Sequence, residues 1–364
     1  MTKKGDNTTA TMLKGEEQKR EWLRLNTALS RIWSQATWDR EAKRIELAYW
    51  QLIKDKVPHV RPPKVLRPTE HRIEAFVRKL ARQTGIGNLH VGLTSSDLED
   101  NIRALRLEKS LWLLRQTDAN VWQAVEQMPN IPLTAYTHLL RAGVTSKKDR
   151  FYPTLMAPNP IPTIVRKGIG GAIGNQWIQG LMGVHDINRA IFPGKYTQSY
   201  SHQTGDHTTE FNTAAWITRT AALNAKIAND FRLMYALGQA EPKYDDTGST
   251  AIPGKKPNPW RFESATGKAK LLFCLPGQVA DIMSDCLLER TLTNQAPLNR
   301  LFERGFKDLL GVQQQLTEAI DRTHLICDVE PFDESLHTEE QMLKLIMQGV
   351  PREDAHKKIH DQKG

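Results

Sequence analysis

Apolar residues recur at helical spacing along most of the chain. In residues 38–54 they fall at Ile45, Ala48, Tyr49 and Ile53, three or four positions apart. The same period runs from residue 94 to about 127, through 208–238, and through stretches at about 262–289 and 296–325, whereas no useful length alternates with a period of two. The pattern predicts an all-α fold. Further apolar positions of the predicted stripes are Leu98, Ile102, Leu105, Leu111, Leu114, Trp216, Ile217, Leu223, Ile227, Phe231, Met234, Leu237, Leu298, Phe302, Phe306, Leu309, Leu316 and Ile320.

Proline and glycine residues separate the predicted helices. Four prolines between residues 58 and 68 interrupt the helical pattern, and a further helix should follow with Thr69 as its N-cap and end near Gly85 and Gly87. Residues 130–162 are rich in proline and turn-forming residues, which predicts an irregular connection there. The polar residues 1–20 lack an apolar leader, and we expect them to be disordered.

Composition narrows the class of protein. The chain has 364 residues, a formal charge of +9 and three cysteines at spacings that match no metal motif. The odd cysteine count favours a reducing cytoplasm, and no apolar run approaches the roughly 20 residues of a membrane span. Lysine and arginine are spread along the whole chain, which argues against nucleic-acid binding as a primary function and suits a small anionic substrate. Dinucleotide, P-loop and zinc-protease motifs are absent from the sequence, so we expect no cofactor and no metal.

The segment 248–259, GSTAIPGKKPNP, lies between two long apolar stretches and carries the most informative chemistry. Its glycines and prolines exclude a helix, and its small residues permit movement. Ser249 lies six residues before Lys255, an arrangement that suits removal of a proton next to a carboxylate whose growing charge the ammonium stabilises. The alternative is a flexible surface loop with no catalytic role.

This segment resembles the signature loop GSSxMPxKxNP of the fumarase/aspartase superfamily. It retains Gly248, Ser249, Pro253, Lys255, Asn258 and Pro259. It departs in Thr250, in Ile252, and in one extra residue between Lys255 and Asn258, which puts the position of Asn258 in doubt.

Further segments resemble adenylosuccinate lyases, in that family's order. The stretches are TEHRIEAF (69–76), HVGLTSSDLEDN (90–101), YTHLLRAGVTS (136–146), KGIGGAIGNQ (167–176) and LERTL (288–292). The family glutamine falls on Leu140, and a serine and an arginine of the adenylate site fall on Gln295 and Asn299, where the adjacent Arg300 could compensate. The matched site residues are His71, Thr94, Ser95, Ser96, Thr137, His138, Gln176 and Arg290, with Arg24 as a weaker echo of a phosphate-binding pair.

The resemblance implies an architecture. It implies an N-terminal helical domain at 21–93, a central helical bundle at 94–328 and a truncated C-terminal helical domain at 329–364. It also implies a homotetramer in which each active site draws on three chains, with a purine nucleotide as the substrate and no cofactor.

The resemblance also implies a division of roles. Ser249 would remove the proton and Lys255 with Asn258 would hold the carboxylate. His138 would protonate the leaving nitrogen, as suits a side chain that titrates near neutrality, and His71 would steady it. The start of the helix at residues 94–96, with Arg290 and Arg300, would bind anionic groups.

Two alternatives stay open at the level of sequence. The first is another lyase of the superfamily, acting on argininosuccinate, on aspartate or on a succinylamino deoxypurine nucleotide. The second is a non-catalytic scaffold that kept the fold, which the departures at Leu140, Gln295 and Asn299 and the shortened C-terminus favour.

Overall fold

The computed structural model describes residues 5–64, 69, 71–243, 258–291, 295–330 and 333–361, with side chains described from residue 15 onward. Helices account for most of these residues, as the apolar period predicted, so the all-α fold class is confirmed. The helices are α1 (Gly5–Ile32), α2 (Gln35–Ile53), α3 (Arg72–Thr84), α4 (Ser95–Glu126), α5 (Lys147–Leu155), α6 (Trp177–Leu181), α7 (Ile187–Ile191), α8 (Thr208–Ala236), α9 (Trp260–Lys270), α10 (Leu275–Ser284), α11 (Gln295–Asp321), α12 (Thr338–Met347) and α13 (Arg352–Asp361), with a 3-10 turn at Glu334–His337.

Short strands form three two-stranded sheets within the described part of the chain. An antiparallel hairpin joins β1 (Pro132–Thr137) to β2 (Leu140–Ser146), with a bulge between Ala135 and Tyr136. A parallel pair joins β3 (Val165–Arg166) to β4 (Tyr196–Thr197), and an antiparallel pair joins β5 (Ala240–Pro242) to β6 (Thr323–Leu325).

The chain divides into two compact units, and each long helix α4, α8 and α11 contributes residues to both. Unit 1 comprises residues 1–117, 159–221 and 271–310, and unit 2 comprises residues 118–158, 222–270 and 311–364. The boundaries that we predicted from the resemblance, at residues 21–93, 94–328 and 329–364, stay a prediction.

Each unit has its own apolar core. In unit 1, Trp38, Ile45 and Tyr49 of α2 pack with Leu98 and Ile102 of α4. In unit 2, three aromatic rings stack in sequence: Phe151 on Phe231 with centroids 4.6 Å apart, and Phe231 on Phe262 at 4.9 Å. Burial of one such ring contributes about 1.5–3 kcal/mol. The predicted stripe of α11, from Leu298 to Ile320, is fully buried.

Three local predictions differ from the structure. Residues 5–20 are helical where we expected a disordered tail, and helix-favouring Glu, Gln, Lys and Arg at 16–20 account for this. Thr69 is not the N-cap of α3: His71 is, because its Nδ1 accepts from Glu74 N–H at 3.2 Å while Thr69 lies further out. The stretch 262–289 is two helices, since Pro276 suits the first turn of α10 and not the interior of a longer helix.

The irregular connection predicted at 130–162 is largely ordered. It contains the β1–β2 hairpin and α5. The sequence gave little sign of the hairpin because only Leu133 and Thr134 of β1 are buried, so the strand lacks a sustained apolar alternation.

No helix in the described part of the chain is both long enough and apolar enough to cross a membrane.

A buried carboxyl in unit 2 gives a test of the packing of α4 against α11. Asp118 accepts a hydrogen bond from Gln313 Nε2 at 2.5 Å, and burial raises the pKa of Asp118 to about 6 despite that bond. A folded-state pKa above the unfolded value favours the protonated form, so this carboxyl weakens the fold increasingly as pH rises from about 4 to 6. Asp118→Asn, whose oxygen can still accept from Gln313, should therefore raise the free energy of unfolding above pH 6 by about 1–3 kcal/mol.

Urea unfolding at pH 4, 6 and 8 measures this effect. The gain should shrink toward pH 4, and the exposed Asp354→Asn in α13 serves as the matched control with little change at any pH. A gain of equal size at pH 4 and pH 8 would contradict the assignment to the Asp118 charge.

Candidate active site

The N-terminus of α4 is buried and polar. Thr94, Ser95 and Ser96 are each less than 10% exposed. The backbone N–H of Thr94 donates to Asp97 Oδ2 at 2.9 Å, so a carboxylate three residues on closes the start of the helix. The predicted hydroxyl cluster therefore lies at the N-terminal end of a 32-residue helix, where backbone N–H groups favour negative charge.

Asp97 joins this helix start to the glycine-rich loop 167–176. Its Oδ1 accepts from Lys167 Nζ at 2.5 Å and from Gly170 N–H at 2.8 Å, and its Oδ2 accepts from Gly171 N–H at 3.0 Å. Asp97 is fully buried and Lys167 is 3% exposed. A second link forms one turn further, where Asn101 exchanges two hydrogen bonds with the backbone of Gly168. Loop and helix start thus form one rigid structure.

Gln176 closes the glycine-rich loop. Its backbone has a left-handed φ of 55°, its N–H donates to Gly170 O at 2.9 Å, and its side-chain Nε2 donates to Ile169 O at 2.8 Å. Gly174 has φ +81°, and a Cβ there would lie 2.3 Å from the backbone of Ser201 and His202, so only glycine fits. The Gln176 amide is thus held within its own loop, and its predicted substrate contact stays a prediction.

Arg290 reaches the helix start from a distant part of the sequence. Its Nη1 donates to Ser95 Oγ at 3.1 Å and to Gln203 Oε1 at 3.0 Å. Two buried polar atoms here, Ser96 Oγ and Arg290 Nε, have no hydrogen-bond partner among the described residues. A guanidinium, two hydroxyls and a helix N-terminus can together bind an anion.

A second buried network supports the same helix. Arg103 is fully buried, and its guanidinium contacts Asp100 at 2.6 Å and Glu210 at 2.7 Å. Burial by itself would lower the pKa of Arg103, and the two carboxylates instead raise it. Gln295, where the family pattern has a serine, bridges the network: it accepts from Arg103 at 2.9 Å and donates to Asp100 at 2.7 Å. The departure at Gln295 thus has a structural role.

In unit 2, His138 lies at the tip of the β1–β2 hairpin. His138 and Leu139 form its two-residue turn, with φ of 52° and 63°. Such turns favour Asn and Gly, because other residues are strained at positive φ. Thr137, His138 and Leu140 are all exposed, Leu140 by 71%. The hairpin therefore presents an imidazole at a strained, exposed turn.

The remaining predicted residues are dispersed. Arg24 is exposed and pairs with Glu21 at 2.7 Å, and His71 caps α3. Arg300 is exposed and lines a cavity of about 670 Å³ with Asp281 and Asp285. Asn258 is exposed in unit 2.

The predicted site is therefore only partly assembled within the described residues, where no hydrogen bond or ion pair links Arg24, His71 or Arg300 to the cluster at the start of α4. Ser249 and Lys255 lie outside the described residues.

Sequence reasoning missed several residues that organise the site. Asp97 was read only as a helix former's cap, and Asp100, Arg103, Lys167 and Glu210 were not singled out. His90 was also missed: its Nδ1 lies 2.5 Å from Oε1 of the fully buried Glu46. The available signal was charge on a helix face that should be apolar, since Asp97, Asp100 and Arg103 share one side of α4. Among the described residues, no three His, Cys, Asp or Glu side chains are grouped to hold a metal ion.

The Asp97–Lys167 pair predicts a large stability effect. Asp97→Ala leaves a buried ammonium without its partner and should lower the free energy of unfolding by about 3–5 kcal/mol. Urea unfolding measures the change, and Glu303→Ala, which breaks an exposed pair with Lys307, is the matched control with a change below about 1 kcal/mol. Lys167→Met added to Asp97→Ala should recover part of the loss. Equal losses in single and double variants would contradict the pairing.

Comparison with known proteins places this geometry in context. No family model matches the chain. An adenylosuccinate lyase from Caenorhabditis briggsae is 27% identical over 308 residues, which are 75% of this chain and 63% of that protein, so the chain spans less than two thirds of the relative's length. A crystal structure of a fumarate lyase from Mesorhizobium sp. BNC1 superposes with a TM-score of 0.65 at 17% identity, over 91% of this chain and 84% of that one.

A crystal structure of the 3-carboxy-cis,cis-muconate lactonizing enzyme from Pseudomonas putida gives a TM-score of 0.64 at 16% identity, over 92% of this chain and 84% of that one. At these identities the two structures establish the fold alone. The chain has the all-α fold of the fumarase/aspartase superfamily, and its sequence is similar to that of an adenylosuccinate lyase.

Proposed function

We propose that this protein is a carbon–nitrogen lyase that eliminates fumarate from adenylosuccinate, or from a related succinylamino purine nucleotide, in purine nucleotide biosynthesis. The sequence similarity to an adenylosuccinate lyase and the superfamily fold support the reaction class. The observation that carries the proposal is the contact between Arg290 and Ser95, because it joins two motifs 195 residues apart that both match the family's substrate-binding segments.

The cluster at the start of α4 suits an anionic part of the substrate. Ser95 and Arg290 already contact each other, and the unpartnered Ser96 Oγ and Arg290 Nε can each donate one more hydrogen bond. Charge-assisted bonds to a guanidinium are among the strongest in proteins. We assign this cluster to a phosphate or carboxylate of the substrate, with Thr94, Gln176, Thr137, Arg300 and Arg24 as additional proposed contacts.

The proposed reaction is a β-elimination. Ser249, as an alkoxide, takes the proton from the carbon next to a carboxylate, while Lys255 and Asn258 hold that carboxylate as it gains charge. The electron pair of the C–H bond forms the new double bond, the C–N bond breaks, and His138 gives a proton to the purine nitrogen, steadied by His71. No cofactor takes part.

We further propose a cytoplasmic homotetramer in which three chains complete each active site. The exposure of the hairpin tip supports this assembly, because Leu139 and Leu140 beside His138 are 73% and 71% exposed. Apolar side chains at such a tip are commonly covered by a partner.

One observation favours a different function. The family glutamine is replaced by the exposed Leu140, which removes a polar contact next to His138. A non-catalytic scaffold would then release no fumarate from adenylosuccinate, argininosuccinate, aspartate or a succinylamino deoxypurine nucleotide, whereas a related lyase would release it from one of the last three.

Ser249→Ala tests the base. It should lower the rate of fumarate release by several powers of ten, on the order of 4–8 kcal/mol of barrier, because alanine cannot accept the proton. Absorbance of fumarate over the four substrates measures the rate, with the exposed Ser30→Ala in α1 as the matched control at the wild-type rate. Wild-type turnover by Ser249→Ala would exclude Ser249 as the base.

Arg290→Leu tests the anion-binding cluster. Loss of charge-assisted hydrogen bonds worth about 1.5–3 kcal/mol should raise KM for the nucleotide roughly 10- to 150-fold, with a smaller effect on kcat. Steady-state kinetics separate the two constants. Arg304→Leu, which removes a 77% exposed arginine of α11, is the control. An unchanged KM would show that Arg290 does not contact the substrate.

A further inference from the structure

Unit 2 contains a cavity of about 280 Å³ that the proposed reaction does not use. One wall is the β1–β2 hairpin, with Tyr136, and the opposite wall is the C-terminal half of α8, with Lys226 and Leu233. Arg150 of α5 and Gln239 complete the lining. This volume lies near the lower end of the range for small-molecule sites, so the cavity suits a small metabolite and excludes a nucleotide.

The cavity carries an excess of positive charge. Arg150 is half-buried, and within the described ranges no carboxylate lies within 4 Å of its guanidinium. Lys226 pairs with Asp230 at 2.6 Å, so these three lining groups sum to one positive charge. Burial lowers the pKa of Arg150, as expected for a cation that has lost water without gaining an adjacent carboxylate. An anionic ligand would supply the missing charge.

The remaining lining is apolar. Leu233 and Leu237, four residues apart, lie on the same face of α8, beside Met234. Leu233 is 39% exposed, so apolar surface remains uncovered there. A ligand that fills the cavity therefore needs one anionic group and a compact apolar body.

The same arginine anchors the hairpin that carries His138. Arg150 Nη2 donates to Thr134 O at 2.9 Å, and Arg150 Nη1 donates to Gln239 Oε1 at 2.7 Å. Gln239, which is fully buried, also donates to Thr134 O at 2.8 Å, and Asp328 accepts from Thr134 N–H at 2.8 Å. An anion that engages Arg150 thus acts directly on the base of the hairpin.

We propose that this cavity is a binding site for a small monocarboxylate with an apolar body, held by Arg150 and Lys226, and that its occupation changes the stability of the β1–β2 hairpin. The site itself is independent of the lyase proposal. A consequence for turnover through His138 rests on the proposed function.

Benzoate is the probe for the site, measured by isothermal titration calorimetry with the full-length wild-type protein. It should bind saturably with a dissociation constant of about 1 mM or tighter. Benzamide, with the same ring and no charge, and acetate, with the charge and no ring, should each bind at least roughly tenfold more weakly. Absence of saturable benzoate binding, or equal binding of benzamide, overturns the proposal.

Variants locate the binding. Lys226→Ala removes an exposed cation and should weaken benzoate at least about fivefold without unfolding the protein, and Arg150→Gln should weaken it further. Arg232→Ala, on the same helix but outside the lining, is the matched control. Arg290→Leu is the second control, because benzoate bound at the start of α4 would respond to it. A loss with Arg290→Leu and none with Lys226→Ala overturns the assignment.

Hydrogen exchange tests the link to the hairpin. Benzoate at saturation should change exchange at the amides of residues 133–145 at least about twofold, and Lys226→Ala should abolish the change at the same benzoate concentration. Unchanged exchange in the wild-type protein with benzoate bound refutes the coupling. Neither readout requires catalysis, so failure of the lyase proposal leaves both interpretable.

Discussion

A fully buried carboxylate, Asp97, determines how the start of α4 is organised. Without Lys167 and the amides of Gly170 and Gly171, a charge in this position would cost several kcal/mol. Its four hydrogen bonds leave no alternative arrangement of comparable energy, because any shift of the glycine-rich loop would remove donors from the charge. The geometry of the hydroxyl cluster follows from this one compensation.

The neighbouring network extends the same principle along the helix. Arg103 lies between Asp100 and Glu210, and the buried arginine strongly favours the charged form of Glu210, so the pKa of that carboxyl falls even though burial alone would raise it. Gln295 satisfies both partners of the Asp100–Arg103 pair. A serine at this position is too short to make both bonds, so the change from the family pattern goes together with a different use of the site: residue 295 supports the helix and is not left available for a ligand.

The helices could be predicted because their signal is local. Six apolar residues of α11 repeat at helical spacing, and all six are buried. The hairpin at 132–146 gave no such signal, since its bulge at Ala135 breaks the alternation and most of its side chains are exposed. In the site, motif resemblance brought Ser95 and Arg290 together correctly, but the charge pairs of Asp97 and Arg103 join positions more than 60 residues apart, and no spacing rule in the sequence encodes such a pairing.

The turn at the hairpin tip shows why anchoring matters. His138 and Leu139 both adopt left-handed backbone conformations, which cost roughly 1–2 kcal/mol each in a residue other than glycine. Such a turn persists only where its strands are held, and two points hold them: the Thr134 backbone bonds to Asp328, Gln239 and Arg150, and Arg141 pairs with Asp333 at 2.5 Å. Glycine at either turn position would relieve the strain and let the imidazole move. Retention of two unfavourable residues between two anchors is consistent with a need for a fixed side-chain direction at the tip, which is the requirement of a group that must deliver a proton to one atom.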